Sequence, residues 1–188
     1  MNFFNFYKHP KNIRFESFRF ALNEAKKRNH KIIVETGVAR GKIKLFFFSK
    51  INWKDGMSTM IFSDYVKHVK GELHSCDINK KNILNAKKFV KKNNLFVQFY
   101  VDDSLNFLIN FPKKIDFLYL DSLDGQFPNA SQHQLAEIMN ARNKLSKGSM
   151  VLLDDKGSKT NLSIDYMLKN NFKILNETDQ QVLLSLEN

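Results

Sequence analysis

The sequence predicts an α/β fold, with a doubly wound and mostly parallel β-sheet and helices on both faces. Short apolar runs alternate with longer amphipathic segments, which is the pattern of βαβ units. The first run, residues 32–34, enters a glycine-rich turn of the kind that opens ligand pockets in such sheets. The last two runs, 172–177 and 181–186, are joined by a turn and predict an antiparallel hairpin at the sheet edge.

The first third of the chain predicts an N-terminal helical extension over residues 1–29, a strand, a long connection and a second helix. Within 13–29, apolar residues recur at spacings of three and four, which favours an amphipathic helix packed on the domain. The first strand covers about 31–35. Residues 42–57 are long for a connection, so we predict an irregular inserted loop there. A helix from Ser58 to about Val69 follows, with Ser58 or Thr59 as its cap and Gly71 at its end.

The remaining elements continue the alternation. We predict helices at 79–93, 104–110, 131–145 and 161–170, and strands at about 72–77, 96–101, 116–120 and 149–153. Asn79 is a candidate cap for the first of these helices.

Composition favours one cytoplasmic domain over residues 1–188. The hydrophobic fraction is 43%, and no apolar run approaches the ~20 residues that span a bilayer. The N-terminus lacks the pattern of a signal peptide, and Cys76 is the single cysteine. The net charge of +11 is open to two interpretations: a surface for nucleic acid, or lysines spread over solvated faces by compositional bias.

Carboxylates follow all five predicted parallel strands. Parallel strands bring their carboxyl ends to one edge of the sheet, where ligands bind in open α/β sheets. One such acid is common, but five in order indicate a binding site. These acids are Glu35, Asp77, the pair Asp102–Asp103, Asp121, and the pair Asp154–Asp155.

The glycine turn fits neither of two common nucleotide motifs. Gly37, Ala39 and Gly41 are spaced by two rather than as G-x-G-x-x-G, and Gly41-Lys42 precedes Ile43 instead of Ser or Thr. With its strand-end acids and its terminal strand pair, the chain resembles the class I S-adenosylmethionine-dependent methyltransferases over about residues 30–186. The resemblance implies a Rossmann-like methyltransferase fold.

The resemblance also implies roles for the turn and for the strand-end acids. Asp77 would accept hydrogen bonds from both ribose hydroxyls of S-adenosylmethionine, although it lies about 40 residues past Gly37 because 42–57 intervenes. Ser58 would reach the carboxylate of the cofactor. Asp103 and Ser104 would border the adenine. The residues around the methionine part would be Glu35, Gly37, Ala39 and Gly41.

A metal site is implied by similarity to the catechol-type and macrocin-type O-methyltransferases. By that match Asp121, Asp154 and Asp155 would hold Mg²⁺ or Ca²⁺, which prefer oxygen ligands. The alternative is that these acids make hydrogen bonds without a metal. Where the catechol-type enzymes carry a lysine, this chain has Asp124, so Lys156 or His133 is the candidate base.

These patterns favour an S-adenosylmethionine-dependent O-methyltransferase acting on a small hydroxylated acceptor, a sugar or secondary metabolite, with help from a divalent metal. Two alternatives stay open: an RNA methyltransferase that uses the basic surface, and a non-catalytic cofactor-binding protein on the same fold. A homo-oligomer is also compatible with the sequence. The aromatic residues of 42–57, including Phe46, Phe47, Phe48 and Trp53, either form a lid or pack on the N-terminal helix.

Overall fold

The structure, a computed structural model of the chain, describes residues 1–39, 41–45 and 48–187. Its strands, in chain order, are β1 (Ile32–Thr36), β2 (Lys42–Leu45), β3 (Phe48–Ile51), β4 (Glu72–Cys76), β5 (Val97–Tyr100), β6 (Ile115–Leu120), β7 (Leu145–Asp154), β8 (Phe172–Glu177) and β9 (Gln181–Leu186). Its helices are α1 (Phe4–Tyr7), α2 (Phe15–Lys27), α3 (Ser58–Val69), α4 (Lys80–Phe89), α5 (Ser104–Asn110), α6 (Ala130–Ala141) and α7 (Asn161–Lys169). Within these residues no helix is long and apolar enough to cross a bilayer.

Seven strands form one sheet in the order β5-β4-β1-β6-β7-β9-β8. The first five are parallel, and β9 runs antiparallel to both β7 and β8. The predicted fold class is therefore confirmed, including the antiparallel edge. The chain proceeds outward from β1 to β5 and then returns to β6 beside β1, so a cleft opens at the carboxyl ends of these central strands.

Helices cover both faces of the sheet. On one face, α2 and α3 pack through edge-to-face rings: Phe18 and Phe62 lie 5.4 Å apart, and each ring lies within 5.5 Å of Tyr119 on β6. On the other face, Phe107, Ile138 and Met167 bring α5, α6 and α7 onto the sheet. Both clusters are buried, so the N-terminal helix is an integral layer of the fold.

Residues 42–57 are more regular than predicted. Strands β2 and β3 pair as a separate antiparallel hairpin, with Lys42 opposite Ile51. The residues of β2 alternate between lysine and an apolar residue, a period of two that favours a strand. After the hairpin, the ring of Trp53 stacks on His9 at 4.6 Å, as expected if this aromatic packs on the N-terminal region. Phe46 and Phe47, which the lid hypothesis also invoked, lie outside the described residues, and the side chain of Phe48 is not described either.

Several helix ends differ from prediction. Helix α6 ends at Ala141 rather than at residue 145, because a 3-10 turn over Arg142–Lys144 precedes β7, which begins at Leu145 rather than at residue 149. The predicted cap of α3 is wrong, because Met57 occupies the cap position in a left-handed conformation and the hydroxyl of Ser58 bonds elsewhere. Helix α4 ends at Phe89 rather than at residue 93, because a 3-10 turn follows over Lys91–Phe96. Its cap is as predicted, since Asn79 accepts a hydrogen bond from the backbone N–H of Lys81 at 2.9 Å.

Candidate functional site

A two-part cleft lies at the carboxyl edge of the sheet. Its larger cavity has a volume of about 550 Å³ and its smaller one about 230 Å³. Strand-end acids and the glycine turn line the cleft, as the sequence predicted for this edge. The residues that line both cavities, and so join them, are Gly37, Asp77, Ile78, Ser122 and Leu123.

The turn after β1 requires glycine at position 37. Gly37 has a φ of +80°, and a Cβ there would lie 2.1 Å from the carbonyl oxygen of Asp121. Side chains accept hydrogen bonds from two backbone N–H groups of the turn. The N–H of Val38 donates to the carboxylate of Asp77 at 3.2 Å, and the N–H of Ala39 donates to the hydroxyl of Thr59 at 2.9 Å. The turn therefore presents backbone to the cleft, held by Asp77 just after β4 and by Thr59 on α3.

Glu35 and Ser58 lie behind this turn and line neither cavity. The carboxylate of Glu35 accepts hydrogen bonds from Ser58 at 2.5 Å and from Ser75 at 2.7 Å, and all three residues are buried. Burial raises the pKa of Glu35 to about 7, although both hydroxyls act to lower it. These residues support the turn, and the cofactor contacts predicted for Glu35 and Ser58 stay predictions. Gly41 also lies outside both cavities, against the ring of Phe89.

Asp77 stands at the junction of the two cavities. Its carboxylate accepts hydrogen bonds from the backbone N–H of Asn79 at 2.7 Å and from the amide of Asn82 at 3.1 and 3.3 Å. With the bond from Val38, these contacts hold the carboxylate in one orientation. Asp77 is therefore a fixed acceptor that faces both parts of the cleft.

The smaller cavity is lined by Asp103, Ser104 and His133. Asp103 caps α5 by accepting from the N–H groups of Leu105 and Asn106. The ring of His133 lies between two hydroxyls, with Nε2 3.0 Å from both Ser104 Oγ and Ser122 Oγ. Residues predicted for the adenine thus meet here.

His133 was predicted as a candidate base, and its position argues against that role. It lines only the smaller cavity, whereas the three predicted metal ligands line only the larger one. Lys156, the other candidate, pairs with Glu177 on β8 at 2.6 Å and lines neither cavity.

The three predicted metal ligands meet in the larger cavity. Asp121 follows β6, Asp154 ends β7 and Asp155 comes next, and each offers an oxygen within 4.8 Å of the others. We call these residues the acidic triad. Burial, and then the charge of Asp154, raise the pKa of Asp121 well above its usual value.

Two cations that the sequence analysis did not identify neutralise the acidic triad. Arg14 donates from Nε and Nη2 to the two oxygens of Asp154 at 2.7 and 2.8 Å, and from Nη2 to Asp155 at 2.9 Å. Lys159, only 2% exposed in its side chain, lies 3.3 Å from Asp121 and from Asp155. Lys159 follows Asp155 by only four residues, in the connection between β7 and α7. Arg14 is 140 residues from Asp154, and no local pattern connects them.

All six carboxylate oxygens of the triad already accept hydrogen bonds. Besides the two cations, the donors are Tyr119 to Asp121, Gln181 to Asp154 and the N–H of Gly125 to Asp155.

The triad has suitable oxygen ligands for Mg²⁺ or Ca²⁺, but in this arrangement it does not fit a metal. Burial lowers the pKa of Arg14 and of Lys159, but their carboxylate partners outweigh that effect, raise both values and keep both groups charged. Like unit charges about 4 Å apart repel by roughly 4 kcal/mol at an effective dielectric constant of 20, and a divalent ion would repel two such cations more strongly.

A family model described as "Methyltransferase domain" matches residues 53–156, more than half of the chain. The matched part includes Asp77, Asp121 and Asp154, but begins after the glycine turn. No curated protein matches the sequence at a significant level.

Solved structures share the fold over nearly the whole chain. An SAH-bound methyltransferase of Podospora anserina, PaMTH1, superposes with a TM-score of 0.67 at 13% identity, covering 98% of this chain and 86% of that one. The O-methyltransferase NovP gives 0.65 at 13% identity, with 93% and 80% covered. An rRNA methylase of Streptococcus thermophilus gives 0.63 at 11% identity, with 90% and 95% covered. At these identities the similarity is one of fold.

Proposed function

Since the chain belongs to the family of methyltransferase domains that its residues 53–156 match, and has the class I S-adenosylmethionine-dependent fold, we propose that it methylates a hydroxyl oxygen of a small acceptor. The observation that carries this proposal is the two-part cleft at the carboxyl edge of the sheet. Its larger cavity alone, at about 550 Å³, is within the usual size range of small-molecule sites.

S-adenosylmethionine would lie across the junction of the two cavities. Asp77, which faces both, would accept hydrogen bonds from the two ribose hydroxyls, since a carboxylate has lone pairs for several donors. The adenine would occupy the smaller cavity beside Asp103, Ser104 and His133. The methionine part would follow the backbone of Gly37 and Val38 into the larger cavity. The positive sulfonium suits a cavity lined by carboxylates.

The acceptor would enter the larger cavity beside the acidic triad, where Lys54 and Phe127 also line it. In the reaction a C–O bond forms as the sulfur–methyl bond breaks, with its electron pair left on sulfur, and the hydroxyl proton is lost to solvent. Alignment of oxygen, methyl and sulfur in a water-poor site accounts for most of the acceleration in such transfers. The protein therefore needs few groups that take part chemically.

Metal assistance, which the resemblance implied, stays a prediction. Because Arg14 and Lys159 bond to the acidic triad, a divalent ion would bind only after both cations withdrew. The methyl transfer proposed here includes no step that depends on a metal.

Methylation of RNA is the second candidate, and the net charge of +11 favours it. Exposed lysines on α4, including Lys80, Lys81, Lys87 and Lys88, could contact phosphates. The larger cavity itself argues against a polyanion, however. Among the described residues that line it, six are acidic and two are basic, Arg14 and Lys54. A neutral polyhydroxylated acceptor meets no such repulsion.

The test is calorimetric titration with S-adenosylhomocysteine, followed by transfer of a tritiated methyl group from S-adenosylmethionine. The acceptors are a panel of sugars and phenols and, in parallel, total RNA at low and high salt. Cofactor binding with transfer to a small hydroxylated acceptor is expected. Salt-sensitive transfer to RNA alone would replace this proposal with the second candidate, and binding without turnover on the panel or RNA would favour a non-catalytic protein.

A further inference from the structure

The acidic triad has the composition of a divalent metal site, yet protein cations already bond to it. Arg14 bonds to both oxygens of Asp154 and to one of Asp155, and Lys159 bonds to the other oxygen of Asp155 and to Asp121. We call Arg14 and Lys159 the cation pair. Together they carry two positive charges, the charge of one Mg²⁺ ion.

Arg14 is held in place rather than free to swing away. Its side chain is 13% exposed, and Nη1 donates to the carbonyl oxygen of Lys54 at 3.3 Å. A Cβ on Gly56 would lie 2.9 Å from Arg14 Cδ, so the connection that leads into α3 passes close to the Arg14 side chain. Arg14 is followed by α2, which is anchored by the fully buried Phe18.

A second set of contacts ties the same helix to Asp154. Ser17 on α2 donates to the side-chain oxygen of Gln181 at 2.5 Å, and the amide nitrogen of Gln181 donates to Asp154 at 2.7 Å. Ser17 and Gln181 are both buried. The approach of Arg14 to the triad is therefore part of the packing between α2, β7 and β9.

Lys159 is buried on the other side of the triad. Its ammonium group lies 3.3 Å from one oxygen of Asp121 and one of Asp155. Burying an ammonium is costly unless it is paired, and these carboxylates are the pairing partners. If Lys159 withdrew to admit a metal, its charge would have to leave a site where it is 2% exposed.

We propose that the cation pair takes the place of a divalent metal at the acidic triad, so that this chain does not bind Mg²⁺ there. A corollary, which rests on the proposed function, is that methyl transfer by this chain is metal-independent. Within the pair, Arg14 lines the larger cavity and is the positioning residue nearer the acceptor, whereas Lys159 neutralises the triad from behind.

The test measures metal binding alone, without cofactor or acceptor, so its failure is distinct from a failure of the proposed function. Mn²⁺ and Mg²⁺ are titrated by calorimetry, with Mn²⁺ also followed by its electron paramagnetic resonance signal. The proteins are the wild type, R14Q, K159Q and the double variant, and circular dichroism checks that each is folded. Arg19→Gln is the matched control, because Arg19 is an exposed arginine on α2, five residues after Arg14, and pairs with Glu16.

The wild type and R19Q are expected to show no saturable binding up to about 10 mM, beyond the weakest range of protein calcium modules. The double variant exposes carboxylates without cations and is expected to bind at least tenfold more tightly than that limit. K159Q releases Asp121 and one oxygen of Asp155 from the lysine but keeps Arg14, so its gain is expected to be smaller than that of the double variant. If the double variant is unfolded, saturable binding to K159Q below about 10 mM is the expected result.

Two results would overturn the proposal. Saturable binding to the wild type would show that the cations withdraw for a metal. Absence of binding to every folded variant that lacks a cation would show that the triad is not a metal site that the pair occupies.

Discussion

Replacement of Gly37 by alanine tests the geometry of the turn that opens the cleft. The added Cβ would lie 2.1 Å from the carbonyl oxygen and 2.6 Å from the carbonyl carbon of Asp121, both backbone atoms at the end of β6. Gly37 also has a φ of +80°, a left-handed conformation that costs a residue with a Cβ about 1–2 kcal/mol. Neither effect can be relieved by rotation of a side chain.

The matched control is Gly148→Ala. Gly148 has a similar φ of +87°, but a Cβ there would meet no atom of the described structure within 4 Å. G148A should therefore lose only the conformational part, about 1–2 kcal/mol of unfolding free energy. G37A should lose that amount and a further overpacking cost of about 1–3 kcal/mol, so about 2–5 kcal/mol in total.

Urea denaturation of both variants measures this difference, and titration with S-adenosylhomocysteine measures its effect on the cleft. G37A is expected to be the less stable variant and to lose most of its cofactor affinity, because the clash moves Asp121 away from the turn. G148A should bind the cofactor as the wild type does. Equal stability of the two variants, with intact cofactor binding in G37A, would refute the close approach on which the reasoning depends.

Three further predictions concern single side chains of the site. Asp77→Asn removes a charged acceptor and should weaken binding of S-adenosylhomocysteine about tenfold. Its control, Asp165→Asn on the exposed face of α7, should leave the affinity unchanged. Equal affinities of the two variants in calorimetry would remove the ribose assignment. Burial raises the pKa of Glu35 from 4.5 to about 7. Between these two pH values the folded state keeps a proton that the unfolded chain loses. The free energy of unfolding therefore falls as the pH rises from about 4.5 to about 7, by at most about 3 kcal/mol. Urea melts at about pH 5 and pH 7.5 should show a flatter pH dependence for E35Q, and an unchanged slope would contradict the assignment. His133→Ala should raise the KM for S-adenosylmethionine severalfold and leave kcat unchanged, whereas a fall in kcat alone would restore His133 as a base.

The fold was predictable because its strands are short apolar runs bounded by clear turn signals. Strands β8 and β9 coincide with the predicted ranges 172–177 and 181–186, and α5 with 104–110. The hairpin β2–β3 was missed because its four-residue strands are too short to stand out beside a long connection. The acidic triad was predictable for a topological reason, since neighbouring parallel strands end at the same edge.

The polar partners of the site were less predictable. Arg14 stands just before α2. The sequence pattern of this helix predicts only which residues form its apolar face, and an arginine at the start of a helix is ordinarily solvated. Its approach to Asp154 depends on how α2 packs across β7, which is tertiary information. The same holds for Ser58, whose hydroxyl has a nearby buried acid, Glu35, as partner instead of the end of its own helix.

The bonds of Asp154 to both Arg14 and Gln181 have a consequence for synthesis of the chain on the ribosome. These two partners are separated by 167 positions of sequence (181 minus 14). At about 5–20 residues per second, residue 181 is added roughly 10–30 s after residue 14. During that interval α2 lacks the bond from Ser17 to Gln181, although Phe62 and Tyr119, the ring partners of Phe18, are added earlier. Codon changes that slow translation of residues 30–180 would lengthen this interval without altering a single side chain.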